Sequence, residues 1–388
     1  MNKQKDKIKI ESGREYDYWL HRMPGVGDVT INKLLRSFGK AKDIYDACNR
    51  CDEEFEGVVG KTKTFDIYRW NDDCDINSEY NAMISKGIRM VLLNDEDYPK
   101  RLKEIENCPY ALYVKGKMPA DDVPSVAIIG ARNCSEYGTF VADEFGKALA
   151  TEGINIISGM ARGVDGISQR GAIKAGGRTF AVLGSGVDVC YPEGNYKLYR
   201  DIQENGGIIS TFPPGTEPLK HNFPLRNRIV AGLADMILVV EARVKSGTSI
   251  TVDMALKMGK DVYAVPGRLT DRLSDGCNTL IRDGAGVALS PEDVIRELAL
   301  IWKRKDPESG LLNENNIPKM ATCSPEEDIG LLRYMDLVPR NVEEIHQKRL
   351  SVEKGVAIQQ TLSELILLCV EGKAVQVGNG YFYKVCGA

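Results

Sequence analysis

The chain has 388 residues, 43% of them hydrophobic and 27% charged, and its 51 basic and 55 acidic side chains leave a net charge of -4. Such a composition describes a globular protein of two or three domains rather than a disordered one, and it removes bulk basicity as an argument for a polyanionic partner, which would have to be met by a local patch. No apolar run approaches the roughly 18 residues of a spanning helix, and the opening MNKQKDKIKIESG has no apolar core for an export signal, so a cytoplasmic chain away from membranes, with reduced thiols, is expected. Three histidines and one close cysteine pair, Cys48 and Cys51, offer no second pair to complete a zinc site, so neither a metal nor a cofactor is expected.

Residues 1–105 read as a helical domain. Within it Ile31, Leu34, Leu35 and Phe38 follow the i, i+3, i+4, i+7 spacing of one buried helix face, just after the turn Pro24-Gly25-Val26-Gly27. The pattern then changes: 23 of the 38 glycines fall between positions 126 and 289, which marks the stretch where tight turns and close backbone approach matter most. Short apolar runs at 126–129, 154–157, 179–183, 236–240 and 261–265 each end in small residues or turns and alternate with helical stretches. One such stretch carries Val141, Phe145, Ala148 and Leu149 as its apolar stripe. This alternation predicts an α/β domain over 106–302, with an extended Rossmann-like parallel sheet covered on both faces. Residues 303–322 read as a polar linker. In 323–388, Leu362, Leu365, Ile366 and Cys369 form a helical face, and the runs 375–377 and 381–383 flank Gly378-Asn379-Gly380, which suggests a winged helix.

Ligands of open parallel sheets collect beyond the carboxyl ends of the strands. There the sequence places four Gly- and Ser-rich loops, at 130–138, 158–165, 184–188 and 246–249, and Arg132 adds a bidentate cation. Each loop alone would serve as a strand-to-helix turn; four on one edge point to a phosphate-bearing ligand. No G-x-G-x-x-G follows the first strand, which argues against a dinucleotide cofactor. The run PLKHNFPLRNR at 218–228 sets Lys220, His221, Arg226 and Arg228 around Phe223. Cations hold phosphates and a ring stacks a base, the combination used to grip single-stranded nucleic acid. Alternatively, Phe223 plugs the core and the arginines merely open a helix running toward Ile229 and Leu233.

The blocks VAIIGARNCSEYG, SGMARGVDGISQRGA, GSGVDVCYPEGN, PPGTEPLKHNFPLRNRIVAGLADMILVVEA, SGTSITVDMALKMGKDVYAVPG and GCNTLIRDGA resemble, in order and spacing, the bacterial DNA-processing protein A (DprA/Smf) family over about 110–295. The flanks are similar to that family's helix-hairpin-helix or SAM-like domain and its winged helix. The resemblance implies a non-catalytic single-stranded DNA binder that dimerises through the central domain, protects incoming DNA in natural transformation and loads the recombinase RecA onto it. Carried over residue by residue, its pocket would hold Arg132, Ser135, Gly159, Lys220 and Phe223, with Arg226, Asn227 and Arg228 beside them. Lys220 and Arg132 would neutralise phosphates, Phe223 would stack a base, and the Ser135 hydroxyl and Gly159 N–H would bind backbone oxygens. One departure is Thr211, where many members carry an acidic residue.

Two other functions fit parts of the sequence. A Rossmann-like nucleotide hydrolase of the phosphoribohydrolase kind would draw on Asp165, Asp188, Glu241 or Asp253, but Ile250 and Thr251 stand where a glutamate would be wanted after Ser246-Gly247-Thr248. An adaptor would use the winged helix for a partner and the cleft for assembly.

Overall fold

The computed structural model describes residues 13–305, 330–336, 339–377 and 380–384. The expected linker therefore lies almost wholly outside the described residues, as do Gly378 and Asn379. Six helices come first: Arg14–Arg22, Asp28–Phe38, Ala41–Asn49, Glu53–Val59, Lys61–Asp72 and Ile76–Ser85. They close over Trp19, Leu20, Ile31, Leu34, Phe55 and Ile67, all fully buried. The turn at 24–27 joins the first two helices as expected, and Lys63 Nζ donates to the Gly25 carbonyl at 2.9 Å, fixing it.

The sheet has nine strands: β1 Arg89–Leu92, β2 Ala111–Gly116, β3 Ser125–Ile129, β4 Asn155–Ser158, β5 Thr179–Val182, β6 Gly206–Ser210, β7 Met236–Val239, β8 Asp261–Ala264 and β9 Gly286–Val287. Their order is β1-β2-β6-β5-β4-β3-β7-β8-β9. The strands from β6 to β9 in that order run parallel, whereas β1 and β2 are antiparallel additions at one edge. The helical part thus ends at Ser85 and the sheet begins at Arg89, ahead of position 105. The order reverses between β3 and β7, and this is where an α/β sheet opens a crevice. In β3, β4, β5, β6 and β7 every residue is buried, as expected for strands covered on both faces. The helix Glu136–Thr151 buries Val141, Phe145 and Leu149, with Ala148 only partly covered.

A second unit holds the C-terminal elements. Helices Val342–Leu350 and Ile358–Val370 accompany a three-stranded antiparallel sheet, in which β12 Tyr381–Lys384 lies between β10 Arg340–Asn341 and β11 Ala374–Val377. Its core gathers Leu331, Tyr334, Ile345, Leu365 and Phe382. Of the expected stripe, Leu365 is buried and Cys369 packs on the core, but Leu362 and Ile366 are exposed. Apolar residues surround that helix on nearly every side, so periodicity alone does not select the buried face.

Candidate nucleic-acid interface

The loop after β3 and the turn before the helix Gly247–Lys257 meet at the switch point and line a cleft of about 710 Å³. Its other wall is the start of the helix Asn222–Leu233 together with Pro218 and Lys220. That helix tolerates Pro224 in its first turn because N–H groups there have no intrahelical acceptor.

Phe223 is half-buried and keeps one side open to the cleft. Its ring rests on Gly184, where an added Cβ would come within 3.0 Å of Phe223 Cδ1. The Arg132 guanidinium carbon lies 5.5 Å from the ring centroid, that of Arg226 lies 5.8 Å away, and the Tyr191 ring is centred 5.7 Å from it. Arg132 and Lys220 are exposed, and neither meets a carboxylate among the described residues. Two cations free to hold phosphates, one of them against the ring, therefore line the cleft that holds Phe223.

Arg226 has a different task. It is 5% exposed, and its Nη1 donates to the carbonyls of Gly159, at 2.8 Å, and Val182, both at or just beyond strand ends. Burial pushes its pKa down to about 10, against the opposing pull of the Asp165 charge. Burial likewise holds the Asp165 carboxyl above its ordinary value, while Arg226 and the Gly159 N–H draw it back. Gly159 is expected from sequence to offer its N–H to a phosphate, but that N–H donates to Asp165 Oδ2 at 3.1 Å. What the position requires is the absence of a side chain, since a Cβ would lie 2.4 Å from Arg226 Nη1. Ser135 is likewise engaged within its own turn, its Oγ accepting the Gly138 N–H at 3.1 Å, and it does not line the cleft. Asn227 lines the cleft and accepts from Arg226 Nε at 3.1 Å.

Arg228 leaves the group entirely. It donates to Asn107 O and pairs with Asp28 at 3.0 Å, binding this helix to the helical part of the chain. Five residues along a helix is about 500° of turn, so Arg228 sits on a different face from Phe223, whereas Arg226 and Asn227, three and four residues on, share its side. The cleft also contains Tyr191, 43% exposed, to which the sequence reading gave no role, and the turn Ser246-Gly247-Thr248, part of the fourth of the glycine- and serine-rich loops expected to meet a phosphate. Tyr191 lies inside the block GSGVDVCYPEGN, but a single aromatic in a loop carries no periodicity to single it out.

A family model described as DNA recombination-mediator protein A matches residues 89–299. DNA processing protein DprA of Streptococcus pneumoniae is 39% identical over 226 residues, covering 58% of this chain and 78% of that protein. Protein Smf of Escherichia coli is 32% identical over 296 residues, 75% of this chain and 76% of that one. The X-ray structure of the Streptococcus pneumoniae protein superposes with a TM-score of 0.62 at 32% identity, over 75% of this chain and 99% of that chain. DNA processing protein A of Helicobacter pylori, solved for its single-stranded DNA binding mode, gives a TM-score of 0.50 at 32% identity over 55% and 96%. The family model covers more than half of the chain, and relatives above 30% identity are matched over three quarters of their length, so this chain belongs to the DNA recombination-mediator protein A (DprA/Smf) family.

Proposed function

We propose that the cleft binds single-stranded DNA, with Arg132 and Lys220 on phosphates and Phe223 against a base, and that the protein serves DNA processing in transformation. In this reading a homodimer shelters incoming strands and passes them to RecA. The observation that carries it is the half-buried Phe223 ring with two exposed, carboxylate-free cations beside it in one cleft. A duplex presents no open base face to such a ring, while a single strand presents one at every nucleotide. The Helicobacter pylori relative, described for binding single-stranded DNA, supports the same assignment.

A nucleotide hydrolase is less well supported. Asp165 is buried and accepts the Gly159 N–H, Asp188 pairs with Lys86 at 2.9 Å, and Glu241 is 1% exposed. Asp253 is exposed but does not line the cleft, so of the four only Asp165 lines it, and there it is engaged by the Gly159 N–H rather than open as a general acid or base. The test is a fluorescence titration of a short oligothymidine against a duplex of equal length. Clear preference for the single strand, and no base released from nucleoside monophosphates, is the expected result; equal affinity for the two, or base release, refutes the proposal. Formation of RecA filaments on the same oligonucleotide, with and without the protein, tests the hand-over.

A further inference from the structure

We infer that the cleft carries a second phosphate-binding subsite, built on the first turn of the helix Gly247–Lys257. This rests on the cleft being a single-stranded DNA site and assigns a further phosphate of the strand to a turn carried by a different helix from Phe223.

Ser246 has the extended backbone of a helix cap, yet its side chain forms no cap hydrogen bond. Its Oγ is buried without any partner. Thr248 lines the cleft while only 9% exposed, and its hydroxyl bonds to nothing among the described residues. The Gly247 and Thr248 N–H groups stand at the first two helical positions, where no intrahelical acceptor exists, and no other acceptor meets them among the described residues. A Ser or Thr at a helix start ordinarily spends its oxygen on those N–H groups. Here hydroxyls and N–H groups are left unspent together, at the positive end of the helix dipole, with Arg132 lining the same cleft. The space before the turn is open, since a Cβ on Gly247 would meet no atom within 4 Å. Several donors in one turn that itself carries no carboxylate, with open space before it, make a seat for a tetrahedral oxyanion; Asp165, the carboxylate that lines the same cleft, is buried and engaged by the Gly159 N–H. The ligand class is a phosphate group, either a phosphodiester of the strand crossing from Phe223 or the terminal phosphate of a nucleotide.

Gly247→Asp tests this with little risk to folding. The new carboxylate enters empty space, and an acidic group at a helix start stabilises the helix, so the melting temperature should hold or rise while binding falls. Oligothymidine affinity should drop at least about tenfold, and its salt dependence should become shallower as one phosphate contact is lost. Thr248→Val, which removes only the hydroxyl, should weaken binding about two- to fivefold. Thr151→Asp adds the same charge at an exposed position outside the cleft and should bind as wild type. Thymidine monophosphate, added as competitor, separates the two sources. Displacement of the oligonucleotide that Gly247→Asp abolishes assigns a terminal phosphate, and no displacement assigns the phosphodiester. If Gly247→Asp binds like wild type while Lys220→Glu is weakened, the subsite is wrong and the single-strand reading stands. If wild type binds no single strand, both fall.

Discussion

Arg226 occupies the first half of a helix, where the dipole disfavours positive charge, and it is nonetheless buried. Two backbone carbonyls at or just beyond the ends of neighbouring strands and the nearby Asp165 charge compensate, so the residue joins the loop ends that frame the cleft. Replacing it by Met should cost about 3 kcal/mol at neutral pH, because a buried carboxylate is left without its counter-charge. The pH dependence follows from the Asp165 carboxyl, which is raised above 3.8 in the folded chain. A carboxyl that binds its proton more readily when folded contributes stability in full below about pH 3.8, and that contribution is lost as pH rises through the folded value. Removing Arg226 raises that value further. The melting deficit of Arg226→Met relative to wild type is therefore expected to be largest near pH 7 and to shrink toward pH 4; a deficit independent of pH would contradict the pairing.

At the level of elements, the helix Asn222–Leu233 has two working faces. One presents Phe223 and Asn227 to the cleft, and another holds Arg228 against Asp28, each side chain about one-fifth exposed. Asp28 also accepts the Tyr110 N–H at 3.0 Å, so one carboxylate ties the helical part to both the sheet and the cleft helix. Arg228→Ala should cost about 1 kcal/mol in unfolding experiments, a half-screened pair being worth less than a buried one, and should change oligothymidine affinity less than about threefold. A loss of affinity as large as that of Lys220→Glu would return Arg228 to the binding site. This division of labour could have been read from helical spacing, since 223, 226 and 227 share a side and 228 does not. The residue reading and the family resemblance both group the cations of the run together instead, and the partner Asp28, 200 residues away, has no local signal.

At the scale of the molecule, the strands that read clearly are β3, β4, β5, β7 and β8, most of them apolar throughout because helices cover both faces. Of those that do not read, β1 and β9 are short edge strands, β6 is masked by glycine, and β2, six residues long and paired on both sides, lies ahead of the α/β alternation from which the strands were read. In β6, Gly206 and Gly207 open the strand, and a Cβ there would lie 1.9 Å from Thr179 O and 2.0 Å from Lys117 O. Glycine is a condition of the strand contact, yet in sequence it looks like a turn. β1 and β2 join the two parts of the fold, since Ala111 and Tyr110 belong to the helical core while Leu112 and Val114 belong to the sheet core. Two buried thiols report on these cores: Cys48 in the first and Cys277 in the second, both pushed up to about 12 by burial. Neither should react with iodoacetamide in the native chain at pH 8, and both should become reactive in one denaturant transition if the strands couple the cores. Two separate transitions would show that the helical part unfolds alone.

Among the described residues no helix is long and apolar enough to cross a membrane, and the net charge remains acidic, so attraction for a polyanion has to come from the cleft. Fluorescence anisotropy of oligothymidine with wild type, Lys220→Glu and Phe223→Ala over a salt series tests that most directly. Affinity should fall with salt in wild type, fall less steeply in Lys220→Glu, and be weaker by about 1–3 kcal/mol at every salt concentration in Phe223→Ala. Three superimposable titrations would contradict the assignment of the cleft.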